Sequence, residues 1–216
     1  KFSRDGAQIN IKRASVVPAK GLCVSVPDGE MLSIAFSNKT SMLAVGPAEF
    51  KIEAFIQGSA ENSPDDNLDR ESAPSNISLS LKNGRFLFSL AQRLGSSKFT
   101  VKFPNAESEI QSGIAIAETG TNGSRLIPLD GFARIKPQDS IWEIVKDGVS
   151  AVVPAKESDK KIIFKHVYSR ERERFGNFIK TAEQLRRSVI FKYSPNAGFA
   201  AELILPKAFF AMPIKH

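Results

Sequence analysis

The chain has 216 residues, of which 42% are hydrophobic and 25% charged. That is ordinary globular composition, sufficient for a core without disulfides or metals. The net charge of +7 is unevenly placed: residues 156–192 hold eleven Lys or Arg against five Asp or Glu, and the remainder is close to neutral. Local charge of this kind favours an acidic partner, such as an anionic protein face, lipid headgroups or a polyanion. The single cysteine, Cys23, excludes an internal disulfide and leaves the redox compartment open. No run approaches the roughly 18 apolar residues of a membrane span, and even Phe209–Met212 is far too short. The chain opens at Lys1 with neither Met nor a signal-peptide pattern. The expectation is a mature or trimmed chain lacking an upstream export signal or anchor, with His216 as a tag residue.

In chain order, the first 155 residues read as short strands separated by turn signals. Cys23, between Leu22 and Val24, is expected to be a small buried hydrophobe. Met31–Phe36 alternates loosely, and Phe50-Lys51-Ile52-Glu53-Ala54 alternates strictly, as a half-buried strand does. Residues 58–76 are polar, with little to bury from Gly58 to Asn67, and predict a mobile surface insertion between strands of one kind. Within Leu79–Phe88, Asn83-Gly84 predicts a type I′ hairpin turn, because both residues tolerate positive φ. Lys98–Phe103 alternates again, with aromatic and branched residues suited to a pleated surface. Asp28-Gly29, Asn122-Gly123, Asp130-Gly131 and Asp147-Gly148 add turn punctuation. Trp142, among strand-like neighbours, is expected in the core.

The C-terminal quarter contains the one strong helical pattern. Phe175, Phe178, Ile179, Ala182, Leu185 and Val189 share one face, while Arg170, Arg174, Asn177, Thr181, Gln184 and Ser188 fall on the other. Ser169 is placed to cap it, and Gly176 weakens it by about 1 kcal/mol relative to Ala. Strands are expected again at Val189–Tyr193 and Ala200–Leu205. The pentapeptide Val16-Val17-Pro18-Ala19-Lys20 returns at Val152–Lys156, too short a match to establish a repeat. The fold expected is mostly β, a β-sandwich or wound β-structure with one C-terminal amphipathic helix. Residues 1–155 form the β-domain, and the basic residues 156–216 supply a helix plus strands packed on it, as part of that domain or beside it.

Candidates for chemistry are few. The only histidines are His166 and His216, and His166, within the strand-like Ile162–Val167, reads as a hydrogen-bonded structural residue. One Cys and two His cannot assemble the common zinc sets without carboxylates. Asp65-Asp66-Asn67-Leu68-Asp69 places oxygen ligands at alternate positions. The sixth and twelfth places of an EF-hand counted from Asp65 hold Arg70 and Asn76 instead of Gly and Glu, so a solvated loop is expected. Neither a nucleophile elbow, a phosphate loop nor a dinucleotide fingerprint is present. The expectation is therefore a noncatalytic chain with no cofactor and no metal. Asn38, Asn76 and Asn122 begin glycosylation-type tripeptides that matter only in a eukaryotic secretory setting. The candidate site is a basic partner-docking face comprising Arg170, Arg174, Lys180, Arg186 and Arg187. Glu171 and Glu173 compensate part of that charge, and a plain solvated face is the competing reading. Nucleic acid fits poorly, because the aromatic residues fall on the apolar side instead of among the arginines.

Several segments, taken in order, resemble the FecR-type domain, a bacterial periplasmic module. Val26–Ile34 looks like its Asp-Gly turn followed by a strand. Gly46-Pro47-Ala48-Glu49-Phe50-Lys51-Ile52 matches its Gly-Pro-Ala-hydrophobic segment closely. Leu81–Phe86, Lys98–Ala106 and Pro128–Ile135 are similar to its later strands and Gly-turns. The resemblance covers roughly residues 8–136. It departs at Ser112-Gly113-Ile114, where the family carries Arg-Gly-Thr, and nothing after residue 155 matches. It implies a β fold and a periplasmic or cell-envelope location. The family's place between an outer-membrane receptor and a sigma-factor regulator also needs a membrane helix and a cytoplasmic segment that this sequence lacks. Three readings follow: a FecR-like sensor or regulatory module working by protein–protein contact, an accessory structural part of a pilus or secretion machine, or a module binding glycan or anionic polymer.

Overall fold

The structure is a computed structural model that describes residues 1–12, 16–58, 69–71, 73–111, 113–156 and 161–188, and the backbone of residues 202–204. The strands are β1 (Phe2–Arg4), β2 (Ala7–Ile9), β3 (Val16–Pro18), β4 (Leu22–Val26), β5 (Met31–Phe36), β6 (Thr40–Gln57), β7 (Ser75–Leu90), β8 (Lys98–Lys102) and β9 (Ala106–Ile110). They continue with β10 (Gly113–Gly120), β11 (Gly123–Asp130), β12 (Phe132–Pro137), β13 (Glu143–Lys146), β14 (Val149–Pro154) and β15 (Ile163–His166). Helices α1 (Ser169–Arg174) and α2 (Gly176–Ser188) follow, and β16 (Glu202–Ile204) returns to the sheet.

All the strands belong to one hydrogen-bonded network, folded into two layers by its two longest members. Thr40–Val45 of β6 pairs with Arg85–Leu90 of β7, and Glu49–Gln57 pairs with Ser75–Asn83. Between these stretches three residues of β6 stand opposite Gly84 alone, so the ladder bulges and both strands bend. One half of the bent pair continues through β5, β16 and β3 on one side and β10, β11, β14 and β15 on the other. The other half continues through β4, β1 and β2 on one side and β8, β9, β12 and β13 on the other. The layers face each other as a sandwich whose pairs are antiparallel, apart from β7–β8. Edge-to-face ring pairs cross the interface: Phe36 with Phe55 at 5.7 Å, Phe50 with Phe86 at 5.6 Å, and Phe88 with Phe99 at 5.2 Å.

The bend corrects the expectation of a hairpin at Asn83-Gly84. Gly84 has the positive φ, +117°, that the dipeptide suggested, but a bulge inside a continuous strand uses it. A Cβ on Gly84 would lie 2.4 Å from the Cβ of Ala48, and one on Gly46 would lie 1.7 Å from the Pro27 carbonyl oxygen. The bend can close only where both side chains are missing. A two-residue hairpin does form between β10 and β11, where Thr121-Asn122 links Gly120 to Gly123. Asp130-Gly131 and Asp147-Gly148 instead join unpaired strands, and the chain turns a corner at each.

A second core lies outside the sandwich. Leu43, Leu87, Ile116, Ile127 and Leu129 project from the outer face of the first layer and pack on Phe175, Ala182 and Leu185. At about 1.5–3 kcal/mol per fully buried large side chain, this contact holds the helices to the sheet. The expected single helix is broken at Phe175, which caps α1 with its backbone amide on Arg172 and Glu173, and its ring is buried at the elbow. Ser169 is the first helical residue and not the cap; the cap position is Tyr168, whose side chain makes no capping bond.

Three further expectations are corrected. Trp142 is half-buried on the outer face of the second layer, where the cations of Arg134 and Lys136 each lie 4.7 Å from its ring centre. Cys23 is half-buried on the solvent side of β4. His166 is exposed on β15, edge-on to Tyr168 at 5.5 Å. The residues Asp65–Leu68, the strand expected at Val189–Tyr193 and the run Phe209–Met212 lie outside the described residues.

Candidate docking face

The basic segment that looked uniform in the sequence is divided by the fold into an anchored part and a solvent-facing part. The anchored part begins on α1. Glu171 accepts a 2.6 Å hydrogen bond from Arg125 of β11, and this bond holds its carboxyl below the ordinary range. Arg125 also lies 3.5 Å from Glu118, which lies 2.5 Å from Arg85, whose guanidinium sits over the Phe175 ring. Arg172 donates to the Leu129 carbonyl and lies 3.5 Å from Asp147. Helix α1 is thus stitched to the sheet through Glu171 and Arg172, which lie between its outward-facing Arg170 and Arg174.

On α2 the anchoring is stronger. Ser41 of β6 donates a 2.6 Å hydrogen bond to the Ala182 carbonyl beneath the helix. Arg186 and Arg187 both reach Asp69, at 2.9 and 3.0 Å. The hydrogen bond from Arg186 is the chief reason the Asp69 carboxyl is held below its ordinary value. The side chain of Arg186 is only 7% exposed. It is therefore a structural clasp, and its place in the expected solvent-facing set is corrected. Leu185 and Arg186 are neighbours in sequence and both lie against the body of the protein. Arg187 is about half exposed and shares the same aspartate. Arg170, Arg174 and Lys180 are exposed, so the solvent-facing basic set reduces to these three, with Arg187 at its margin.

Sequence reasoning missed the buried polar cluster beside this clasp. Glu71, buried to 3% exposure, accepts from Asn38 at 3.2 Å, Ser75 at 2.6 Å and the Leu94 backbone amide at 3.2 Å. The guanidinium of Arg93, 5% exposed, lies 4.0 Å away and over the Phe99 ring. Burial lowers the proton affinity of Arg93, with Glu71 and Glu109 opposing. The cluster ties the far end of the 58–76 segment, Asp69–Glu71 and Ala73–Asn76, into the body; residues 59–68, on which the expected insertion rested, lie outside the described residues. It also buries Asn38, so that glycosylation-type tripeptide is inaccessible in the fold, whereas Asn76 and Asn122 are exposed. Nothing local marks Glu71 and Arg93 as partners; β7 intervenes and brings them together.

Among the described residues, no three His, Cys, Asp or Glu side chains converge as a metal site would require. No described helix is long and apolar enough to cross a membrane. What the face can do is attract: exposed cations carried on a helix pair locked to the sheet.

No family model matches the chain, and no curated protein matches it. Two crystal structures, each of a candidate anti-sigma factor from Parabacteroides distasonis, are similar in fold. One, at 2.50 Å resolution, has a TM-score of 0.51 at 12% identity over 74% of this chain and 64% of its own length. The other, at 1.65 Å resolution, has the same TM-score and identity over 87% of this chain and 86% of its own. The likeness shows a shared β architecture.

Proposed function

We propose that the chain is a noncatalytic regulatory module that acts by protein–protein contact in a bacterial cell envelope, as a FecR-like sensor component does. The observation that carries this reading is the division of the basic helices. Glu171, Arg172 and Arg186 are spent on holding α1 and α2 in place, and Arg170, Arg174 and Lys180 are left pointing to solvent on that fixed support. A mobile charged segment gains little from an isolated contact, because ordering its backbone costs entropy, whereas cations carried on anchored helices leave only their side chains to be ordered by a partner. The order of FecR-type segments and the fold shared with a candidate anti-sigma factor support a regulatory role.

The test is the triple variant Arg170→Glu, Arg174→Glu, Lys180→Glu in the full chain, compared with wild type by in-cell crosslinking in the source bacterium. A defined protein partner, captured by wild type, weakened by salt and lost in the variant at unchanged melting temperature, is the expected result. Capture of polysaccharide alone, or a partner retained by the variant, overturns the reading.

A further inference from the structure

Strand β15 ends one flank of the helix-covered layer, and among the described residues it pairs only with β14. All four of its residues are exposed, including two large apolar ones, Ile163 at 45% and Phe164 at 42%. Successive strand residues point to opposite faces, so the edge offers one apolar side chain to each face of the sheet. Tyr168, 71% exposed, follows immediately.

The register also decides which backbone groups are free. Val167 donates its amide to the Gly148 carbonyl at 2.9 Å, and Lys165 stands opposite Ser150. In an antiparallel ladder bonded pairs alternate, so Lys165 bonds to β14 while Phe164 and His166 turn their amide and carbonyl groups away from it. An edge of this kind is a template for another strand.

Charge selects the occupant. Lys161 and Lys165 are exposed along the edge. The nearby acids Asp147 and Glu171 are paired with Arg172 and Arg125. In the registers that set Lys165 opposite Lys165 or Lys161, a second copy of β15 laid antiparallel is unfavourable. We propose that β15 accepts an extended acidic peptide segment of a partner protein, added antiparallel as a further strand, with its carboxylates on the face that carries Lys161 and Lys165 and its apolar residues on the opposite face, beside Phe164. This deepens the regulatory reading and rests on the chain being a contact module, but it concerns a surface distinct from Arg174 and Lys180.

The probe is an end-blocked peptide alternating Glu and Val over seven residues, with a Lys-for-Glu version and a version with central Pro as controls. The expected result is salt-sensitive binding of the Glu peptide alone, with slowed amide exchange at Phe164 and His166. His166→Pro removes an outward-facing amide, at a position that edge strands tolerate, together with the exposed imidazole. It is expected to weaken binding by about tenfold, or roughly 1.4 kcal/mol. Should that variant fail to fold, the exchange pattern of the wild-type chain decides by itself. Equal binding of the Lys peptide, unchanged exchange at β15, or self-association through this edge in place of peptide binding each overturns the proposal. Partner capture lost in the helical triple variant, with no peptide bound at β15, removes this inference alone. Peptide binding with no captured partner removes the earlier reading alone.

Discussion

The two layers are built from the same two long strands yet obey different rules. In the half of β7 that belongs to the open layer, buried Ile77, Leu79 and Leu81 alternate with more exposed Asn76, Ser78, Ser80 and Lys82. In the half that belongs to the helix-covered layer, Phe86 to Leu90 are all buried. β6 makes the same switch in the opposite direction, from an unbroken buried run at Thr40–Ala44 to alternation at Ala48–Ile52. The cause is α2, which covers the outer face of one layer and leaves that of the other to water. A strand's pattern therefore reports how many of its faces are covered, and one strand can report both.

Breaking that comparison gives the largest expected effect. Leu43→Asn, under α2, should lower unfolding free energy by about 4 kcal/mol, because it loses packing and buries an amide. Lys51→Asn, farther along β6 on the solvated face, should stay within about 0.5 kcal/mol. Urea titration of both variants checks the pair, and equal losses would show that the helix does not seal its layer. Next is Glu71→Gln, which leaves Arg93 buried beside a neutral partner and should cost about 3 kcal/mol in the same titration. Gly84→Ala tests the joint between the layers. The strained φ and the contact with Ala48 predict a loss of about 2 kcal/mol. Ser41→Ala removes the bond to the Ala182 carbonyl and should cost about 1 kcal/mol, with faster amide exchange in α2.

The smallest effect is pH-dependent. The Asp69 carboxyl is held below its ordinary 3.8 by Arg186, so its clasp on α2 is complete above that value and is lost as pH falls through the folded-state value. Melting temperatures of wild type and Asp69→Asn should differ by a constant amount near neutral pH and converge in acid below 3.8. A gap that widens in acid would contradict the assignment.

The open layer was the legible one. Phe50–Ala54 and Lys98–Phe103 declared their buried faces because water on one side and core on the other imposes a period of two. The covered layer gave only short apolar runs, whose periodicity cannot tell a doubly buried strand from a buried helix segment. The apolar face of the helical segment was readable for the same reason as the open strands, and Phe175 at the elbow and Ala182 and Leu185 on α2 pack where the pattern put them. Of the five basic residues, sequence placed Arg186 wrongly. Its burial depends on Asp69, which arrives from a distant segment, and no helical wheel contains that partner.

What the chain alone determined was therefore the β architecture, the existence of one covering amphipathic segment and the concentration of positive charge beside it. These follow from local periodicity and composition, which act between near neighbours. Tertiary structure decided that Gly84 bends a strand instead of reversing it, that Glu71 meets Arg93, that Arg186 is a clasp and that β15 stands at an edge among the described residues. Each of those depends on which distant backbone or side chain occupies the adjoining space, and that is fixed only when the layers close.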